Sequence, residues 1–184
     1  FKMTKYKMPK ILCNNPTYSS LCAFFGAEKC FSALTVYLPG GIYSTQFIKK
    51  DQKGLSTIHF AFAGGNLNII RTLEQADFSF TEADNQFQTP SHYAAMSNNT
   101  DCLKFLWTKG YDILCKKSYI TPVHIACLYG QIENVKFLVE KVSKDDDILK
   151  YKKERWKKDT PLHFACMSVN AEIVKYLLSN KRMN

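Results

Sequence analysis

One short phrase returns along the chain and decides what it can fold into. Three copies read Thr89-Pro90-Ser91-His92, Thr121-Pro122-Val123-His124 and Thr160-Pro161-Leu162-His163. A weaker copy reads Ser56-Thr57-Ile58-His59. The only four histidines in the chain therefore share one local setting, at spacings of 33, 32 and 39 residues, and each is followed two residues later by Ala61, Ala94, Ala126 or Ala165. Each phrase suits a helix start. Thr or Ser at the N-cap accepts from a free N–H of the first turn. Proline at the first helical position loses no hydrogen bond, and the alanines let helices approach closely. A stop belongs nine residues after the cap. Gly65 and Gly130 stand there, with Asn98 expected to take the left-handed role in the third copy and Val169 a poor substitute in the fifth.

A second helix follows each first one. Its apolar positions recur at steps of three and four: Ile69, Ile70 and Leu73; Leu103 and Leu106; Val135 and Leu138; Ile173, Val174, Leu177 and Leu178. Stripes this short cannot be buried within one helix pair, so the pairs must stack on one another. In the same frame an upstream copy appears, with Thr17 nine residues before Gly26, Cys22 and Ala23 at the small positions, and Cys30, Phe31 and Leu34 opening the second helix.

The phrase and its register resemble the ankyrin repeat family, whose signature is Thr-Pro-Leu-His-x-Ala in a unit of about 33 residues. The resemblance implies an all-α solenoid of stacked helix-turn-helix repeats joined by β-turn or hairpin-like loops. It covers one array over residues 14–181, with a flank at 1–13, a tail at 182–184, and repeat cores starting near 17, 56, 89, 121 and 160. Asp51 and Gly54 match the turn before the phrase. Asp84 is retained in the third repeat, where Phe87 replaces the glycine. The fourth and fifth have Lys116 with Tyr119 and Arg155 with Lys158, so irregular turns are expected there. The intervals of 39 residues each carry about six extra, one set near Pro39-Gly40-Gly41 and one in 142–156. Insertions in such arrays map to loops on one face.

The resemblance also implies the work of the chain: holding a partner on a rigid frame. In the family the two residues before each helix stop face the concave side. This nominates Phe24, Phe25, Met96, Leu128, Tyr129 and Met167 as partner contacts. Lys116 and Lys117, with Lys152, Lys153, Trp156, Lys157 and Lys158, add a basic edge at the turns, alongside Lys49, Lys50 and Lys53. Lys and Arg number 25 against 16 Asp and Glu, a formal +9; the basic edge reads either as a solvated surface or as a contact for an acidic protein partner. A nucleic acid or other anionic surface is the second reading of the same stripe, and an accessory targeting module of a larger protein is the third.

No catalytic constellation is read here. His124 with Cys127, and His163 with Cys166, share helix faces, but the histidines are the signature ones and a closed zinc site needs four ligands. The glycine pairs lack phosphate-loop spacing. The expectation is no enzyme, no cofactor and no metal. Seven cysteines, an odd count without paired spacing, read as reduced thiols in an intracellular compartment, cytoplasmic or nuclear. No apolar run is long enough for a membrane span. The expected state is a monomer, and a chain that begins at Phe1 reads as a fragment or trimmed region.

Overall fold

The computed structural model describes residues 15–115, 118–141, 160–168 and 170–180. Among these residues the chain is all-helical, without strands. The first helices are α1 (Tyr18–Phe25), α4 (Thr57–Gly64), α6 (Pro90–Met96), α8 (Pro122–Leu128) and α10 (Pro161–Met167). They stack in chain order, α1 on α4, α4 on α6, α6 on α8 and α8 on α10. The second helices form the outer row: α2 (Glu28–Tyr37), α5 (Leu67–Gln75), α7 (Thr100–Thr108), α9 (Ile132–Lys141) and α11 (Ala171–Ser179). This is the expected solenoid.

The core runs along the inner row. Every residue of α6 is buried, as is every residue of α4 except Gly64. From the outer row Ile69, Ile70 and Leu73, then Leu103 and Leu106, then Val135 and Leu138 close over it. Each such side chain contributes about 1.5–3 kcal/mol by leaving water. Gly64 allows the closest approach: a Cβ there would lie 2.1 Å from the Phe24 carbonyl oxygen, so no side chain fits.

A capping box opens α4, α6, α8 and α10, with histidine in the place usual for Glu or Gln. Nδ1 of His59, His92, His124 and His163 accepts the backbone N–H of Ser56, Thr89, Thr121 and Thr160 at 3.1, 3.0, 3.1 and 3.0 Å. An accepting Nδ1 leaves the proton on Nε2. Nε2–H of His59 donates to the Glu82 carbonyl at 3.1 Å, and that of His92 to Ile120 at 2.8 Å. Each of these two rings thus ties a helix start to the turn leading into the next repeat.

One stop departs from expectation. Asn98 does not adopt the left-handed conformation; α6 ends in extended backbone at Ser97. The Ser97 hydroxyl donates to the Ala94 carbonyl at 2.8 Å and accepts the Asn99 N–H at 3.3 Å, closing the turn without a positive φ. Ser168 repeats the device with Ala165 and Asn170 at 2.8 and 3.3 Å. Val169 lies outside the described residues.

The first insertion is more than a loop. It forms a 3-10 turn at Gly41–Tyr43 and a short helix α3 (Thr45–Ile48). Phe47 of α3 is fully buried, edge-on to Phe31 with centroids 5.2 Å apart. The Thr57 hydroxyl donates to the Phe47 carbonyl at 3.1 Å, and the Ser19 hydroxyl donates to the Gln46 carbonyl. The extra residues plug the joint between the first two repeats. The second insertion, in 142–156, and the flank at 1–13 lie outside the described residues.

Candidate functional site

The candidate surface consists of the turns and the row of residues just before the helix stops. The Asp51 turn is closed by Gly54 N–H on the Asp51 carbonyl at 3.0 Å, and the Asp51 carboxylate accepts the N–H groups of Lys53 and Leu55 at 2.8 Å each. Asp84 does the same for Gln86 and Gln88 at 2.8 Å each, and its other oxygen accepts the buried Tyr93 hydroxyl at 2.7 Å. Burial holds that phenol well above its ordinary range. Successive turns are joined by Asn85 N–H on the Lys53 carbonyl at 2.9 Å. In the fourth repeat Asp112, three residues before Cys115, takes over and accepts the N–H groups of Leu114 and Cys115 at 2.9 and 3.0 Å. The turn at 116–119, expected to be irregular, lies partly outside the described residues; Cys115, just before it, has φ +46°.

The pre-stop row does not behave uniformly. Phe25 and Met167 are exposed at 46% and 61%. Phe24, Leu128 and Tyr129 are half-buried, and Phe24 packs edge-on to Phe25 with centroids 5.1 Å apart. Met96 is a correction: it is only 5% exposed, so it cannot serve as a contact. The reason is stacking. α6 lies between α4 and α8, and Gln131 of the next repeat crosses over to donate to the Met96 carbonyl at 3.1 Å. Its neighbour Ser97 is buried too.

Of the basic turn residues, Lys50 is committed to Glu82 at 2.9 Å, and Lys49 is exposed. Lys116, Lys117, Lys152, Lys153, Trp156, Lys157 and Lys158 lie outside the described residues.

The six described cysteines are all free thiols. Cys102 and Cys127 are buried, and burial pushes both pKa values up to about 12; Cys115 is pushed up to about 11. Cys30 and Cys166 are exposed. Cys166 occupies the same repeat position as Cys127, but among the described residues no further helix stacks on the far side of α10. His163 is exposed for the same reason. Burial also holds His59 and His92 down to about 4. No three His, Cys, Asp or Glu among the described residues sit close enough to hold a metal ion. No described helix is long and apolar enough to cross a membrane.

One set of linkers escaped the sequence reading. Ten residues after each cap stands an amide side chain: Asn66, Asn99, Gln131 or Asn170. Asn99 donates to the Gly65 carbonyl of the preceding repeat at 2.7 Å, and Asn170 to Gly130 at 3.0 Å. Asn134, one helical turn past Gln131, donates to the Ala95 and Ser97 carbonyls at 3.1 and 2.7 Å. Their recurrence at fixed offset was visible in the sequence.

Stacked helix pairs, a histidine latch on the next turn and amide staples between repeats define a helical repeat protein. The profile of the ankyrin repeats matches residues 20–117 and 114–184, and the chain belongs to that family. It is 35% identical over 98 residues to human ankyrin repeat domain-containing protein 53, an alignment spanning 49% of this chain and 18% of that protein. The chain thus spans under a fifth of that relative. The crystal structure of the human ASB11 ankyrin repeat domain superposes with a TM-score of 0.65 over 88% of this chain and 68% of that one, at 21% identity, a likeness of fold. Ankyrin repeats are a non-enzymatic fold that binds other proteins.

Proposed function

We propose that the chain is an adaptor that holds a protein partner across the pre-stop row and the turn tips. The carrying observation is that Phe25, Leu128, Tyr129 and Met167, from three repeats, keep exposed or half-exposed apolar side chains at equivalent positions of one rigid stack. Aromatic and Met side chains at such positions are the usual anchors of an interface. The basic turns suit an acidic partner. Free thiols fit a reducing, intracellular site of action.

The test is calorimetric titration of a partner recovered on the immobilised chain. Leu128→Ala with Tyr129→Ala should weaken binding by about tenfold or more. Changing Lys152, Lys153, Lys157 and Lys158 together to Ser should weaken it further at low salt. Affinity indifferent to both sets would refute the reading.

A further inference from the structure

The first insertion presents a surface that the stack does not use. From Cys30 to Ile48 the chain runs 19 residues without Asp, Glu, Lys or Arg, its longest such run, although these residues make up 22% of the whole. Burial of Phe31 and Phe47 accounts for the inward side. The outward side is apolar as well: Val36 is 72% exposed, Tyr37 84% and Tyr43 61%. Clustered apolar exposure of this kind marks an interaction surface.

Hydrogen bonds make the segment a compact knob. Leu38 N–H donates to the Leu34 carbonyl at 3.2 Å and closes the last turn of α2, Gly41 N–H donates to the Leu38 carbonyl at 2.9 Å, and Tyr43 N–H to the Gly40 carbonyl at 3.1 Å. The Tyr43 ring is held in place: it lies parallel to Phe78 with centroids 6.3 Å apart, and its hydroxyl donates to the Ala76 carbonyl at 3.4 Å. Gly40 is exposed at the tip with φ +85°, three residues from each tyrosine. In so tight a turn Tyr37 and Tyr43 stand beside backbone that carries no side chain, two projecting rings next to a gap.

Such an outline fits a second copy of itself. Across a two-fold axis the contacts are reciprocal, so a projecting group of one copy meets the gap of the other and the reverse. The knob holds no charge, so the pairing brings no like charges together. Its border carries both signs, with Lys49 next to Ile48 and Asp77 next to Ala76, both exposed. A nucleic acid or a strongly charged protein therefore finds no counter-charge there, whereas a mixed border is self-complementary around a two-fold axis. We propose that two copies of the chain, expected from sequence to be a monomer, pair weakly through Val36, Tyr37, Gly40 and Tyr43, the Tyr37 ring of each lying over Gly40 of the other. The knob follows α2 in the outer row, so each copy keeps its pre-stop row for the proposed partner.

The test is sedimentation velocity on the intact chain from about 1 to 300 μM, the range in which a small interface associates. A thiol reductant is included, because Cys30 and Cys166 are exposed and could join copies covalently. A reversible passage from monomer to dimer, with a micromolar dissociation constant, is expected. Tyr37→Ser should weaken it at least tenfold, and Tyr37→Phe should stay within about twofold, since the ring and not the hydroxyl makes the contact. Tyr37 is 84% exposed, so Tyr37→Ser should unfold at the parent's temperature. A monomer at every concentration would overturn the proposal. So would a dimer that Tyr37→Ser leaves intact, which puts the contact elsewhere. A lower unfolding temperature for Tyr37→Ser would also overturn it, by making the ring structural. Binding to phosphatidylcholine vesicles that Tyr37→Ser abolishes, with no dimer formed, would make the knob a lipid contact instead.

Discussion

At the scale of single residues, burial decides the chemistry. Cys102 and Cys127 share a chemical identity with Cys30 and Cys166 and none of their accessibility. A thiol attacks as the thiolate, so burial and a pKa raised to about 12 suppress both reach and reactivity. Alkylation of the native protein at pH 8, read by mass spectrometry, should label Cys30 and Cys166 first, with Cys102, Cys115 and Cys127 reacting only on unfolding. Titration after denaturation should count seven thiols. Equal native labelling of Cys102 and Cys166 would contradict the stacking. The histidines give a second residue-scale expectation. His59 and His92 stay neutral in the folded chain down to about pH 4, whereas the unfolded chain protonates them near 6.5. As pH falls through this window the unfolded state gains protons that the folded state refuses, so stability drops. The loss is about 2 kcal/mol per histidine at pH 5, from those two pKa values. Urea midpoints at pH 7.5 and 5 measure it, and His92→Gln should flatten the dependence.

At the scale of elements, each repeat is held by a cap, a stop and a staple. Thr121 is fully buried and Thr160 is not. Thr121→Ala should cost about 0.5–2 kcal/mol, and Thr160→Ala should fall at the low end. Unchanged urea midpoints for both would mean that histidine alone caps these helices. Asn99→Ala removes the bond to Gly65 and the N-cap bond from Asp101 N–H at 3.1 Å, which should cost about 1–3 kcal/mol. Helix starts were legible from sequence because cap, proline, histidine and alanine act within one helix. The serine closures at Ser97 and Ser168 were not. A glycine stop announces its φ by residue type, while a hydroxyl closing a turn looks like any surface serine. Met96 was misplaced for a related reason. Position in the repeat says which way a side chain points, but how closely the next repeat approaches is set by pairs of repeats, here by Gln131. Helix α3 was hidden behind Pro39-Gly40-Gly41, turn residues that mask the apolar Phe47 a few positions on.

At the scale of the whole molecule, a stacked array is a sum of repeats and the interfaces between them. The burial pattern says these interfaces are unequal. All seven residues of α6 and six of α8 are buried, but only Pro161 and Ala165 of α10. Equivalent positions change accordingly: His92 and His124 are 1% exposed, while His163 is exposed. On the outer row the equivalent leucines Leu73, Leu106, Leu138 and Leu177 are all fully buried, so the difference lies in the inner row; Leu178, one position further along α11, is 58% exposed. Among the described residues the α10–α11 pair therefore has one neighbour where the middle repeats have two. Local opening follows buried contact, so amide exchange should be ordered along the chain. Amides of α4, α6 and α8 should exchange slowest, and those of α10 and α11 faster by at least tenfold. A fusion that appends one more Thr-Pro-x-His repeat behind α11 should slow exchange in α10 by covering Cys166, His163 and Leu178. If α10 already exchanges as slowly as α6, the exposed face contributes no weakness and the array unfolds as one unit.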